Sequence, residues 1–143
     1  MVLTGFLRRL KDWLIIFEAF FVSGLLVSLV ALGQYFHLGW LLESAGTRLA
    51  STIGNAGYVA GYLIFNIFFG IFLFFFRKNK YLRCYYILGI LLQMFIVMNT
   101  LTRGGILALT FSLFIFIGYL IFFYFKSNKL IRNSSVIILL LMV

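Results

Sequence analysis

Trp13 to Gly33 reads WLIIFEAFFVSGLLVSLVALG, 21 residues with a single charged side chain, Glu18, and no proline. At about 1.5 Å per residue a helix of this length covers roughly 30 Å, the thickness of a bilayer's hydrocarbon core. Its apolar residues run continuously instead of alternating, which selects a helix over a barrel strand. Only helices and closed barrels satisfy backbone N–H and C=O groups in lipid. The stretch therefore predicts a transmembrane helix.

Four further apolar segments follow, at about 56–76, 84–101, 104–125 and 135–143. The last has nine residues, Val143 included, too few to cross a bilayer. The expected fold is all-α. It is a polytopic membrane protein with four complete transmembrane helices and a truncated fifth. Residues 1–143 then form a single transmembrane domain, a fragment of a larger one. Composition agrees: 64% of residues are hydrophobic, 20% aromatic and 10% charged, whereas soluble domains carry about a quarter charged residues. A soluble domain this small could not bury so much apolar surface. One cysteine, Cys84, excludes an internal disulfide framework and a cysteine metal cluster.

The net charge of +9 suggests either nucleic acid or membrane topology. Position decides. Arg8, Arg9 and Lys11 precede the first span, Arg77, Lys78, Lys80 and Arg83 join the second to the third, and Lys126, Lys129 and Arg132 follow the fourth. With alternating helices all ten fall on one side, which the positive-inside rule makes cytoplasmic. Nucleic acid is not an expected partner. The N-terminus is expected in the cytoplasm. The first span is too long for the apolar core of a signal peptide, and more spans follow it.

The opposite side receives only Arg48 and Arg103. Each precedes a helix that runs inward, so two helix N-termini face out beside two arginines. A helix N-terminus carries partial positive charge and free N–H donors. An arginine fork suits phosphate oxygens. The expected ligand is an anion at the outer headgroup level, a phosphate or a diphosphate. The plain alternative is that both arginines are interfacial anchors reaching for headgroups.

Other residues carry weaker chemistry. Gly57 and Gly61 form a GxxxG pair suited to helix packing, and Asn55 suits a helix N-cap. Glu18, an acid inside the first span, needs a basic partner elsewhere or a place near the inner interface. His37 lacks a second histidine for a metal site and reads as interfacial. Gln93 reads as an interhelical hydrogen-bond donor. The run FNIFFGIFLFFF, Phe65 to Phe76, reads as a lipid-facing or packing surface. No nucleophile–base pair, P-loop or HExxH pattern occurs.

The two outer phrases, RLASTIGNAGYVAGY at 48–62 and NTLTRGGILAL at 99–109, resemble the bacterial O-antigen ligase and polymerase superfamily. Its members show an Arg-x-x-Gly-Thr-x-Gly-Asn-x-Asn type motif entering one helix and a Ser-Arg-Gly type motif entering another. Arg48, Thr52, Gly54 and Asn55 match the first; Arg103 and Gly104 match the second, with Thr102 in the serine position. Ser51 stands where glycine is usual, and Ala56-Gly57 replaces Pro-Asn. The resemblance spans about Gly33 to Phe123.

It implies a glycosyltransferase of the bacterial inner membrane that needs no metal or other cofactor. Such an enzyme moves a glycan at the periplasmic face from undecaprenyl diphosphate to a hydroxyl of a glycolipid, polysaccharide or protein. Arg48 and Arg103 would then be catalytic residues that bind the diphosphate, with Asn55 and Thr102 shaping the site. Membrane lipid would surround it, and the isoprenoid tail would lie against the helices. The family's large periplasmic loop with its histidine lies downstream of these motifs, so that role does not pass to His37. Two other readings remain: a non-catalytic small membrane subunit, and a fragment of a transporter for lipid-linked glycans.

Overall fold

The computed structural model describes residues 9–38 and 48–120. These are helical, with no strand among them: α1 is Leu10–Tyr35, α2 Ala56–Phe76, α3 Lys80–Asn99 and α4 Arg103–Tyr119, and a short 3-10 turn, Ser51–Ile53, leads into α2. Three of the helices, α1, α2 and α3, are long and apolar enough to cross a membrane; α4 is apolar but has 17 residues. The expected fifth segment, the end of the fourth at 121–125, Arg8, and the basic residues Lys126, Lys129 and Arg132 lie outside the described residues.

Local chemistry sets the ends of the helices. The α2 limits coincide with those expected, because Asn55 caps it by accepting a hydrogen bond from the Gly57 N–H at 2.8 Å. α1 starts earlier than expected, at Leu10. There the Asp12 carboxylate accepts from the Arg9 N–H at 3.2 Å and places negative charge in the first turn. It ends in a Schellman-type turn: His37 takes φ 51° and the Leu38 N–H reaches the Gly33 carbonyl at 3.1 Å. α3 starts at Lys80, not 84, because the Asn79 side chain accepts from the Tyr81 N–H at 3.0 Å. Sequence hydropathy had placed the lysine outside the helix, but an N-terminal turn tolerates it in the headgroup layer.

Contacts divide the chain into two units, Met1–Gly105 and Ile106–Val143. In the first, α2 runs antiparallel to α1 and α3. Phe21 of α1 is fully buried against both neighbours: a Cβ on Gly89 would come within 2.6 Å of its ring, and one on Gly70 would overlap it too. Glycines at these positions let a large ring enter the seam, the close approach that helix packing in lipid depends on. Tyr85 and Tyr86 of α3 meet the same ring edge-on at 5.6 and 5.4 Å. The phenylalanine run of α2 divides its work. Phe69 stacks on Phe17 at 4.8 Å and Phe72 meets it edge-on at 5.3 Å, while Phe65, Phe75 and Phe76 face outward. In the second unit, the α4 hydroxyls fold back on their own helix, Thr110 to the Ile106 carbonyl at 2.9 Å and Ser112 to that of Leu109 at 3.0 Å.

Candidate functional site

The arginine-bearing phrases lie at one end of the first unit. Here α1 and α3 finish, α2 begins, and Tyr35 of α1 meets Phe95 of α3 at 5.4 Å. The link into α2 is tied to α1 by Ser51. Its N–H donates to the Gln34 side-chain oxygen at 2.8 Å, and its hydroxyl donates to the Val27 carbonyl at 2.7 Å. Val27 lies two turns inside the end of α1, so this link dips below the helix rim before α2 starts. Leu49 is buried beside it, which leaves the neighbouring Arg48 at the exposed lip.

Ser51 adopts φ 48°, the left-handed region that favours glycine. This is the position where the resemblance expects glycine. The backbone here takes a glycine-like conformation, and the two hydrogen bonds of Ser51 offset the cost of its Cβ. The next residues close the turn, with Gly54 at φ 78° donating its N–H to the Ala50 carbonyl at 3.0 Å.

The second phrase forms the tight link from α3 to α4. Thr100 is fully buried, donates to the Val97 carbonyl at 2.7 Å and shares a 2.9 Å hydrogen bond with the Thr102 hydroxyl. Leu101 between them takes φ 51°. Among the described residues the non-glycine residues with positive φ are His37, Ser51 and Leu101, all at this end of the bundle. Strain of about 1–3 kcal/mol each persists only where surrounding contacts fix it.

The start of α4 meets the start of α2. A Cβ on Gly105 would lie 2.7 Å from the Ala60 Cβ and 2.6 Å from the Thr102 hydroxyl. Two helix N-termini are therefore neighbours, each preceded by one of the phrases. Arg48 and Arg103 are both exposed at this end. Asn55 and Thr102 are engaged locally: the Asn55 oxygen caps α2, and the Thr102 hydroxyl pairs with Thr100. The GxxxG pair does not mark a seam here. A Cβ on Gly61 would meet nothing within 4 Å, and one on Gly57 only the Asn55 side chain, among the described residues.

Glu18 has partners at the other end of the bundle. The Tyr86 hydroxyl donates to its carboxylate at 2.5 Å, and the Arg77 guanidinium stands 3.9 Å from the same oxygen. Arg83 completes the group by donating to the Arg77 carbonyl at 2.8 Å and lying over the Phe74 ring. Sequence reasoning missed Tyr86. The only hint was a tyrosine near the basic end of a neighbouring span.

Compared with protein-family models, with curated proteins and with solved structures, the chain has no match.

Proposed function

We propose that the chain supplies the diphosphate-binding end of a membrane glycosyltransferase. The enzyme would transfer a glycan from undecaprenyl diphosphate to an acceptor hydroxyl at the periplasmic face of a bacterial inner membrane. The observation that carries this reading is the contact between Gly105 and Ala60, which makes neighbours of the two helix N-termini that follow Arg48 and Arg103. Two positive helix ends and two arginines at one rim form a favourable place for a doubly charged leaving group. The glycine-like backbone of Ser51 adds support.

In the reaction, the acceptor oxygen bonds to the anomeric carbon while the bond from that carbon to the diphosphate oxygen breaks. The electron pair leaves on the diphosphate, and the hydroxyl proton passes to the departing diphosphate or to solvent. Fixed positive groups at the rim would lower the barrier by stabilising the charge that builds on the leaving oxygen. Among the described residues Arg9, Lys11, Arg77, Lys78, Lys80 and Arg83 lie around the opposite end of the first unit, which supports an N-terminus in the cytoplasm.

The test is binding of undecaprenyl diphosphate to the purified chain in nanodiscs of neutral lipid. Arg48→Ala and Arg103→Ala should each weaken it about 10-fold or more, as expected for loss of a charge-assisted hydrogen bond. Unchanged binding in both variants would leave the arginines as interfacial anchors and remove the reading.

A further inference from the structure

At the end of the first unit opposite the arginine rim, a charged turn adjoins an apolar stripe. Only residues 77–79 separate α2 from α3. The turn is braced from within. Asn79 caps α3 by accepting from the Tyr81 N–H, and Arg83 donates from Nε to the Arg77 carbonyl at 2.8 Å, with its guanidinium 5.5 Å from the Phe74 ring centre. Lys78 and Lys80, on either side of the cap, are exposed. The acids at this end are already engaged. The Glu18 carboxylate accepts from Tyr86 and faces Arg77, and Asp12 accepts from the Arg9 N–H. Lys78 and Lys80 form no ion pair among the described residues. The first turn of α3 holds no acid, so its positive helix end adds to the lysines instead of being offset.

Beyond the lysines, α3 turns one face outward. Tyr81, Cys84, Leu88, Leu91, Phe95 and Met98 are exposed, while Tyr86, Gly89 and Ile96 on the opposite face are buried. The exposed residues follow one another at alternating steps of three and four, which keeps them on one side of the helix. From Tyr81 to Leu91 the helix rises about 15 Å, half of a hydrocarbon core of roughly 30 Å. That is the depth of the acyl chains of one leaflet.

An apolar stripe of this spacing suits a second helix or a lipid chain. Charge separates the two. A second copy in the same orientation would set Lys78 and Lys80 against their own counterparts. An inverted copy would put the two basic turns on opposite faces of the membrane, against the charge bias of membrane proteins. A phospholipid with an anionic headgroup satisfies both parts of the surface, with its phosphate beside the lysines and an acyl chain along the stripe. Tyr81, 87% exposed at the junction, stands where aromatic side chains meet headgroups.

We propose that the α2–α3 turn and the outer face of α3 bind an anionic phospholipid. Lys78 and Lys80 hold its phosphate, and the stripe from Cys84 to Leu91 carries an acyl chain. This surface lies away from the arginine rim and is independent of what that rim binds.

The experiment uses Cys84, the one cysteine of the chain, which is exposed on the stripe. The full chain, labelled there with bimane, is placed in phosphatidylcholine bilayers, and brominated phosphatidylglycerol or brominated phosphatidylcholine is added as quencher. At equal mole fraction the brominated phosphatidylglycerol should associate about 5-fold more strongly or better, the attraction of roughly one lysine to an anionic surface. Lys78→Gln with Lys80→Gln should abolish that preference. Arg9→Gln with Lys11→Gln removes as much charge from the start of α1 and should leave it. Millimolar glycerol 3-phosphate should leave it too. Equal quenching by the two lipids would overturn the proposal. So would an equal loss in both double variants, which marks diffuse charge attraction, or no quenching by either lipid, which marks a stripe covered by protein. Displacement by glycerol 3-phosphate would also overturn it, because the turn would then take a free phosphate. The wild-type comparison stands even if a variant does not fold.

Discussion

Gly105 and Ala60 approach so closely that a methyl on Gly105 would fall 2.7 Å from the Ala60 methyl. The Thr102 hydroxyl is as near, at 2.6 Å, and is held by Thr100; neither it nor the Ala60 methyl is the far end of a flexible chain, so the helices would have to part. Gly105→Ala gains up to about 1 kcal/mol of helix propensity, yet overpacking costs about 1–3 kcal/mol. The expected outcome is a net loss of roughly 1 kcal/mol, read as a lower unfolding midpoint in detergent. Introduced into an Ala60→Gly background, Gly105→Ala should cost less, because the methyl it strikes is gone. Equal costs in the two backgrounds would place the strain at the Thr102 hydroxyl, 2.6 Å away, and not at the contact with Ala60.

Ser51 pairs backbone strain with hydrogen bonding, and two substitutions separate them. Ser51→Ala loses the bond to the Val27 carbonyl, worth about 0.5–1.5 kcal/mol, and keeps the strain of φ 48°. Ser51→Gly loses the same bond but relieves about 1 kcal/mol of left-handed strain. The glycine variant should therefore be more stable than the alanine variant by about 1 kcal/mol, the reverse of the usual order in a helix. Thermal unfolding of the two variants in one detergent checks the order.

Glu18 meets Tyr86 at 2.5 Å and Arg77 at 3.9 Å, with the ion-pair side chains 29% and 40% exposed respectively. The long, partly exposed ion pair is worth at most about 1 kcal/mol. A hydrogen bond to a charged group is worth about 1.5–3 kcal/mol. Glu18→Gln keeps an acceptor for the tyrosine and should cost little. Glu18→Leu leaves the Tyr86 hydroxyl without it and should cost about 1–3 kcal/mol more. Denaturation midpoints in mixed micelles give the comparison; similar costs for both variants would assign the stability to Arg77 instead.

The helices were legible because a bilayer demands long continuous apolar runs, which composition displays directly. The α2 limits emerged intact since Asn55 is both a polar break and a cap. The start of α3 did not, because Lys80 to Arg83 belong to its first turn although they are not apolar as a group. Within the site, the arginines stood out as exceptions to the charge bias. What stayed hidden depends on register. Glu18 reaches Tyr86 only because α1 and α3 run parallel with their levels 68 residues apart, and nothing in either segment states that offset. Gln93 shows the same limit from the other side: its type suggested an interhelical bond, but its donor and acceptor have no protein partner among the described residues. The left-handed backbone at Ser51 was hidden as well, since serine gives no hint of φ 48°.

Asn55 is the residue whose two assigned roles can be pulled apart most cleanly. Its oxygen caps α2 through the Gly57 N–H at 2.8 Å, and it stands beside the proposed diphosphate site. Asn55→Ala removes the cap and should cost about 1 kcal/mol of stability. Asn55→Asp keeps a capping oxygen and adds negative charge at a helix N-terminus, so stability should match or exceed the wild type. The same charge repels a phosphate, so binding of undecaprenyl diphosphate in neutral nanodiscs should fall, and more at low salt than at high salt. An aspartate variant that is stable and binds the lipid as well as the wild type would confine Asn55 to capping and move the anion away from the start of α2.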